Sequence, residues 1–438
     1  MRPRHQVCNG QVHAIRADQA FDGERFVAGG ATVLIEDGTI VAVEPASYDV
    51  PGDCPVSDQR DATLLPGLVD AHVHLVADSG PLALDRVAGY TEEELDAVVT
   101  RSLERQLAAG VTSVRDLGDR DFHVVGRRDR KRTGDDGLPR IVASGPPLTT
   151  PAGHCFYLGG EVAGREQIVA AVRERVDRGV DVVKVMASGG MNTVGTDVTA
   201  PQFDLADLRL VVEESHRAGL PVTAHAHAAV AVDQALDAGV DGFEHASYFV
   251  GGGPGAPAGP MAVVASDEQL DRLAASGVAV CPTLGGFTTG LFEHGPPHVR
   301  EMMRAAGVTP EQVVELRMTL LARMRAAGVR LVSGTDGGIA PPKAHGSLAE
   351  AMLELATVLP VADVLATATS GAAGVCAPDR RTGRLRAGYG ADLLVVDGDL
   401  AGDLTALRRV RQVVLRGRPT APAAQAERTS LRSRASGP

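Results

Sequence analysis

The stretch DLADLRLVVEESHRAGLPVTAH, residues 204–225, decides how this chain folds. From Asp204 to Ala218 apolar residues recur near helical spacing. Gly219 then supplies the left-handed conformation that ends a helix at little cost. Val222 to Ala224 is a short apolar strand, and a histidine, His225, stands at its end. The same order of helix, glycine and strand recurs along the chain. It appears at Gly110 (Val111 to Val114), Gly137 (Ile141 to Ala143), Gly179 (Val180 to Val185) and Gly239. Gly277 (Val278 to Val280) and Gly328 (Val329 to Val332) repeat it. Strands apolar on both faces suit a parallel sheet covered by helices.

A first strand at Leu68 to Leu75 raises the count to eight. Eight β/α units within about 270 residues favour closure over a doubly wound sheet. The expected fold is therefore α/β, a (β/α)8 TIM-type barrel with its active site at the C-terminal strand ends. Thr91 to Ala109 reads as one of its helices, with Thr91 as N-cap and Glu94 three residues on.

Two flanks remain. Thr32 to Val43 alternates around Asp37-Gly38, a hairpin signal, while Asp392 to Val396 and Val410 to Leu415 are strand-like. Neither flank could bury a core alone, so a small composite β-sandwich built from both termini is expected. The predicted boundaries are 1–65 and 384–418 for the sandwich, 66–383 for the barrel, and 419–438 for a disordered tail. Val250 to Met261, mostly Gly, Pro and Ala, is expected to form a flexible lid loop. Asp119 to Arg140 reads as a solvated surface loop, and Gly285 to Pro310 as a lid or oligomer contact. A homo-oligomer is the expected assembly.

Composition mostly excludes. With 438 residues, 44% hydrophobic and 22% charged, the chain can bury a large core. A formal net charge of −12 argues against nucleic-acid or anionic-membrane partners. Met1 to Asn9 lacks the apolar core of a signal peptide, and no run approaches the length of a membrane span. Cys8, Cys54, Cys155, Cys281 and Cys376 are scattered without a CxxC pair, which suits reduced thiols in the cytoplasm. Of 43 basic residues only three are lysines: Lys131, Lys184 and Lys343. Lys131 and Lys343 read as surface residues.

The strand ends carry the chemistry. Strand one closes on Asp70-Ala71-His72-Val73-His74, and residues two apart face the same way, so His72 and His74 can chelate one cation. Strand four holds Lys184, strand five ends at His225 with His227 beyond it, strand six at His245, and strand eight at Asp336. Nitrogen ligands with one carboxylate suit zinc or a similar divalent ion. A lone histidine at a strand end is commonly satisfied by hydrogen bonds, but histidines at several matching ends point to metal. His5, His13, His123, His216, His294 and His298 fall in flanks, helices or loops and read as structural. His227 shares a face with His225 and leaves the ligand assignment open. An ammonium at Lys184 would be costly in an apolar strand and would repel cations. A neutral amine there can take up carbon dioxide as a carbamate, which is able to bridge two metals.

In this order, His72-x-His74, Lys184, His225, His245 and Asp336 resemble the amidohydrolase superfamily with a binuclear metal centre. The lead-in Leu65-Pro66-Gly67-Leu68-Val69-Asp70-Ala71-His72 and the closing Gly390-Ala391-Asp392-Leu393-Leu394-Val395-Val396-Asp397 are similar to its signatures. Val114-Arg115-Asp116-Leu117-Gly118, Gly153-His154, Glu244-His245 and His345-Gly346 resemble the imidazolonepropionase-like branch with its prolidase-type and ochratoxin-hydrolysing members. The resemblance implies two divalent ions, zinc first among them. His72 and His74 would hold one, His225 and His245 the other, with carbamylated Lys184 bridging and Asp336 both ligand and proton shuttle. It implies substrate contacts from His154 and Tyr248, and more weakly from His345, Arg115 and His227. Arg115 reads equally well as an ion-pair partner of Asp116. Cys155 and Ala228 depart from the pattern, standing where glycine is usual.

The expected activity is hydrolysis of a linear small-molecule amide, an N-acyl amino acid or dipeptide. The alternatives are a one-metal cyclic-amide hydrolase or deaminase, a natural-product tailoring enzyme that runs amide chemistry towards ring closure, and a non-catalytic metal-bearing scaffold.

Overall fold

The computed structural model describes residues 12–420, except 132–135, 252–261, 287–296, 298–299, 302–303, 305–306, 308 and 377–380. Residues 252–261 of the expected lid, much of Gly285 to Pro310 and the tail from 421 lie outside the described residues, as does the side chain of Lys131.

The N-terminal flank forms β1 (His13–Phe21), β2 (Phe26–Val27), β3 (Ala31–Glu36), β4 (Thr39–Pro45) and β5 (Val56–Pro66). The parallel strands follow as β6 (Leu68–Val73), β7 (Val111–Asp116), β8 (Arg140–Ala143), β9 (Val183–Met186), β10 (Val222–Ala228) and β11 (Gly242–Val250). After the short antiparallel β12 (Ala262–Val263) come β13 (Ala279–Cys281) and β14 (Arg330–Leu331). The C-terminal flank supplies β15 (Leu393–Asp397), β16 (Val410–Leu415) and β17 (Arg418–Pro419).

Both flanks meet in one eight-stranded sheet, ordered β17-β16-β15-β5-β1-β3-β4 with β2 on β1. Hydrogen bonding thus joins the strands of both termini, as expected, into one continuous sheet. Its alternation explains why β15 is apolar on both sides. Leu393 and Val395 pack with Ile15, Val33 and Leu64, while Leu394 and Val396 join the large core shared with the helices and parallel strands. The predicted hairpin forms as β3–β4.

The parallel strands fall into two sheets, β6-β7-β8 and β9-β10-β11-β13-β14. Backbone hydrogen bonds connect them on both flanks. Ala71 N–H donates to Ser333 O, Asp336 N–H to His72 O, and Leu148 N–H to Lys184 O. The β14 ladder is shorter than expected because the chain leaves β13 after Val332 and pairs with β6 instead.

Helix ends follow the local signals. The helix Glu92–Ala108 has a capping box: Thr91 accepts from Glu94 N–H and Glu94 from the Thr91 N–H. Gly239, at φ 88°, ends the helix Ala229–Ala238 in the left-handed region, where a Cβ would be strained. The region read as a solvated loop instead contains the helix His123–Lys131, because Asp119 accepts from the His123, Val124 and Val125 N–H groups at its start. Buried Arg128 anchors it through an ion pair with Asp181.

Candidate active site and metal centre

The C-terminal ends of β6, β9, β10, β11 and β14 converge on one pocket. His72, His74, His154, Lys184, His225, His227, His245 and Asp336 all line it and all are buried. On β6, His72 Nε2 and His74 Nε2 stand 3.3 Å apart, with Asp336 Oδ1 at 3.4 and 3.1 Å from them. Opposite, the rings of His225, His227 and His245 cluster with centroids 4.4 to 4.7 Å apart. In each trio the ligand-capable atoms lie within 4.8 Å of one another.

Protein acceptors fix the tautomers. His72 Nδ1–H donates to the Glu244 carboxylate at 2.8 Å and His74 Nδ1–H to Gly118 O at 3.2 Å, so both Nε2 atoms face Asp336 and each other. His225 Nε2–H donates to Gly189 O at 3.2 Å, so its Nδ1 carries the lone pair. His245 Nδ1 meets Thr283 Oγ1 at 2.7 Å, and His227 Nδ1 meets Ser247 Oγ at 2.8 Å. Hydrogen bonds from the far ring nitrogen orient metal-binding imidazoles in this way.

Electrostatics prepare the same residues. Burial, aided by the charge of Lys184, lowers the His72 pKa to about 4, and burial takes His154 to about 3. Burial and mutual repulsion hold His225 and His245 well below 6.5, so these imidazoles are neutral and their lone pairs free for a cation. At His74, burial is outweighed by the hydrogen bond and charge of Asp336, which raise its pKa. At Asp336, burial is outweighed by Lys343, His72 and His74, and the carboxylate is held well below its usual range. Buried imidazole nitrogens facing one ionised carboxylate are a donor set suited to a divalent metal.

The backbone bends where these side chains are presented. His245, Ala246, Tyr248, Thr283 and Asp336 all have positive φ, between 42° and 69°, which is uncommon for residues other than glycine and concentrates at functional sites.

Three expected substrate contacts stand outside the pocket lining. Tyr248 does not reach the pocket wall; the positive-φ residues at 245, 246 and 248 break the strand alternation, and its hydroxyl is buried with no hydrogen-bond partner among the described residues. Arg115 lies behind the histidines. It donates to Glu244 Oε1 at 2.8 Å and Ala71 O at 2.8 Å, so its partner is Glu244 rather than Asp116. His345 is also behind the site, donating through Nε2–H to Ala77 O at 3.0 Å. His154 and His227 do line the pocket, and Thr193 Oγ1 holds His154 Nδ1 at 2.9 Å.

Sequence reasoning missed Lys343. It is 3% exposed and lines the pocket 3.8 Å from Asp336 Oδ2, so it is no surface residue. The two prolines before it suggested a surface turn. The available signal was that a lysine-poor chain keeps one seven residues after Asp336. The orienting role of Glu244, which also accepts from Thr223 Oγ1 at 2.7 Å, went unread as well.

Residues 63–420 match the Amidohydrolase family. The chain belongs to that family. This amidohydrolase is a hydrolase acting on amide or other C–N bonds, in a family that generally uses divalent metals. It is 26% identical over 435 residues to ochratoxinase of Aspergillus niger, covering 92% of this chain and 85% of the relative. It is 26% identical over 396 residues to imidazolonepropionase of Salinispora arenicola (strain CNS-205), covering 86% and 88%. Among solved structures it is similar to a prolidase complexed with N-methylphosphonate-L-proline, with a TM-score of 0.78 at 25% identity, covering 93% of this chain and 99% of that one.

Proposed function

We propose that this amidohydrolase cleaves a linear amide, an N-acyl amino acid or dipeptide-like substrate, at a centre for two divalent ions within a closed (β/α)8 barrel. The observation that carries this reading is the pair of facing ligand groups, His72/His74/Asp336 and His225/His245, with Lys184 in the same pocket. His72, His74 and Asp336 would hold one ion, zinc by donor type, and His225 and His245 the other. Lys184 is 1% exposed, burial lowers its pKa, and its Nζ makes no hydrogen bond with any described residue. Such an amine is suited to a bridging carbamate. His227 completes the second histidine trio and is the competing third ligand.

Two such ions would supply Lewis acidity towards a carbonyl and lower the pKa of an attacking water. The protein's own groups do the rest. Asp336, held ionised beside Lys343, accepts the water's proton and returns it to the leaving amine. His154, fixed by Thr193 and kept neutral by burial, faces the pocket and orients the substrate carbonyl or carboxylate. The prolidase neighbour's N-methylphosphonate-L-proline ligand supports an amide of amino-acid type. Cys155, Cys281 and Cys376 are buried thiols, which supports a cytoplasmic location. Among the described residues no helix is long and apolar enough to cross a membrane.

The test joins metal content to Asp336→Asn. Two metals per chain, and a variant that keeps metal while losing at least about 100-fold in turnover of an N-acyl amino acid and dipeptide panel, are expected. One metal per chain, with Lys184 unmodified by mass spectrometry of the intact holoenzyme, selects the mononuclear alternative.

A further inference from the structure

Lys343 is the second lysine in the pocket, and its surroundings differ from those of Lys184. It is the last residue of the turn Pro341–Lys343, and Gly338 N–H closes the loop on Lys343 O at 2.7 Å. Its ammonium donates to Thr283 O at 2.7 Å and to Thr335 O at 3.0 Å. Those carbonyls belong to different strand ends. Thr283 follows β13, has φ 52°, and its hydroxyl holds His245 Nδ1 at 2.7 Å. Thr335 follows β14 and directly precedes Asp336, whose Oδ2 lies 3.8 Å from the ammonium. Thr335 is held from its other side by Asp70, which accepts from its N–H and its hydroxyl.

We propose that Lys343 is a positioning residue that ties the two halves of the metal centre together, setting His245 through Thr283 and Asp336 through Thr335. The inference rests on the two-metal reading above. Two donors are committed to backbone carbonyls and the ammonium sits beside a carboxylate, so it is a fastener rather than an anchor for a substrate anion. A fastener suits this place. Thr283 and Asp336 are both non-glycine residues at positive φ, and such conformations persist only when neighbouring contacts over-determine them. A short, flexible ammonium can satisfy two carbonyls at unrelated angles, which the planar fork of arginine cannot do as readily.

Charge and position make opposite predictions, and this gives the test its edge. Removing a cation from beside two divalent ions should, by Coulomb's law alone, tighten their binding. Loosening the groups that orient two ligands should weaken it, by roughly 10- to 100-fold for such supporting contacts. The metal-free full chain is titrated with Co(II), read by visible absorption, for wild type and Lys343→Met. The proposal expects Lys343→Met to bind at least one Co(II) equivalent about tenfold or more weakly, with an altered visible band. Equal or tighter binding with an unchanged band overturns it. If wild type itself takes up one equivalent, the two-metal reading fails, while the comparison at that equivalent still decides the role of Lys343. Should Lys343→Met not fold by circular dichroism, Lys343→Gln replaces it. The shorter amide removes the charge and can reach only one carbonyl, and wild-type affinity there overturns the proposal. Loss of the fold in both variants assigns Lys343 to the fold instead and equally overturns it.

Discussion

Glu244→Gln tests the electrostatic scaffold beneath the metal centre. Glu244 is fully buried and accepts three hydrogen bonds: from Arg115 Nη2 at 2.8 Å, Thr223 Oγ1 at 2.7 Å and His72 Nδ1 at 2.8 Å. Although burial alone would raise its pKa, Arg115 and His72 hold it well below the usual carboxylate range. Glutamine is isosteric but keeps only one acceptor oxygen. If that oxygen stays with Arg115 and Thr223, the amide NH2 faces His72 Nδ1–H, donor against donor. His72 must then turn or shift its proton to Nε2, the nitrogen that faces Asp336. Arg115 meanwhile becomes a buried cation without its counter-charge. Removing one partner of a buried pair costs about 3–5 kcal/mol. Loss of a carboxylate that orients a metal-binding histidine costs roughly 10–100-fold in metal affinity. Both consequences are measurable on one preparation, by thermal unfolding of the metal-free chain and by zinc titration against a chromogenic chelator. A variant that melts with wild type and binds zinc as tightly would refute the reasoning, because one of two buried donors would then be facing the other at no cost.

Two further outcomes follow from single side chains. Tyr248→Phe removes a buried hydroxyl that has no partner among the described residues, and leaving such a group unpaired costs about 1–3 kcal/mol. The variant should melt at or above the wild-type temperature with unchanged turnover; a large loss of turnover would return Tyr248 to the substrate site. For pH, His154 has a folded pKa of about 3 because burial disfavours its charged form. A depressed histidine pKa contributes stability that is present above the unfolded value near 6.5 and is lost as pH falls towards about 3. In metal-free protein, the stability of wild type relative to His154→Asn should therefore shrink between pH 7 and pH 4. A gap that widens on acidification contradicts the burial argument.

Much of this fold is local, and local physics is legible in a sequence. The hairpin at Asp37-Gly38, the capping box at Thr91 and the helix ending at Gly239 depend on neighbours a few residues away, and each appears as read. His72, His74, His225 and His245 were legible because strand alternation places residues at strand ends, and parallel strands bring their ends together. Tyr248 stands outside the pocket lining because positive φ at His245 and Ala246 interrupts strand alternation. Arg115 reads equally as a substrate contact or a partner of neighbouring Asp116, but its carboxylate partner lies 129 positions away. The single eight-stranded sheet depends on β15 pairing with β5 across more than three hundred residues, and no local pattern specifies that register.

By itself, the sequence determined the succession of helices and parallel strands and the donor types at their ends. Those follow from periodicity, capping and residue chemistry, which act over one turn or one strand. Only the tertiary structure decided which cations serve the site. Lys184 and Lys343 both carry a buried amine in the pocket, yet Lys343 finds two carbonyls and a carboxylate. A lysine's role is set by the acceptors within about 3 Å of its nitrogen. For Lys343 those acceptors come from chain segments 60 and 8 residues away.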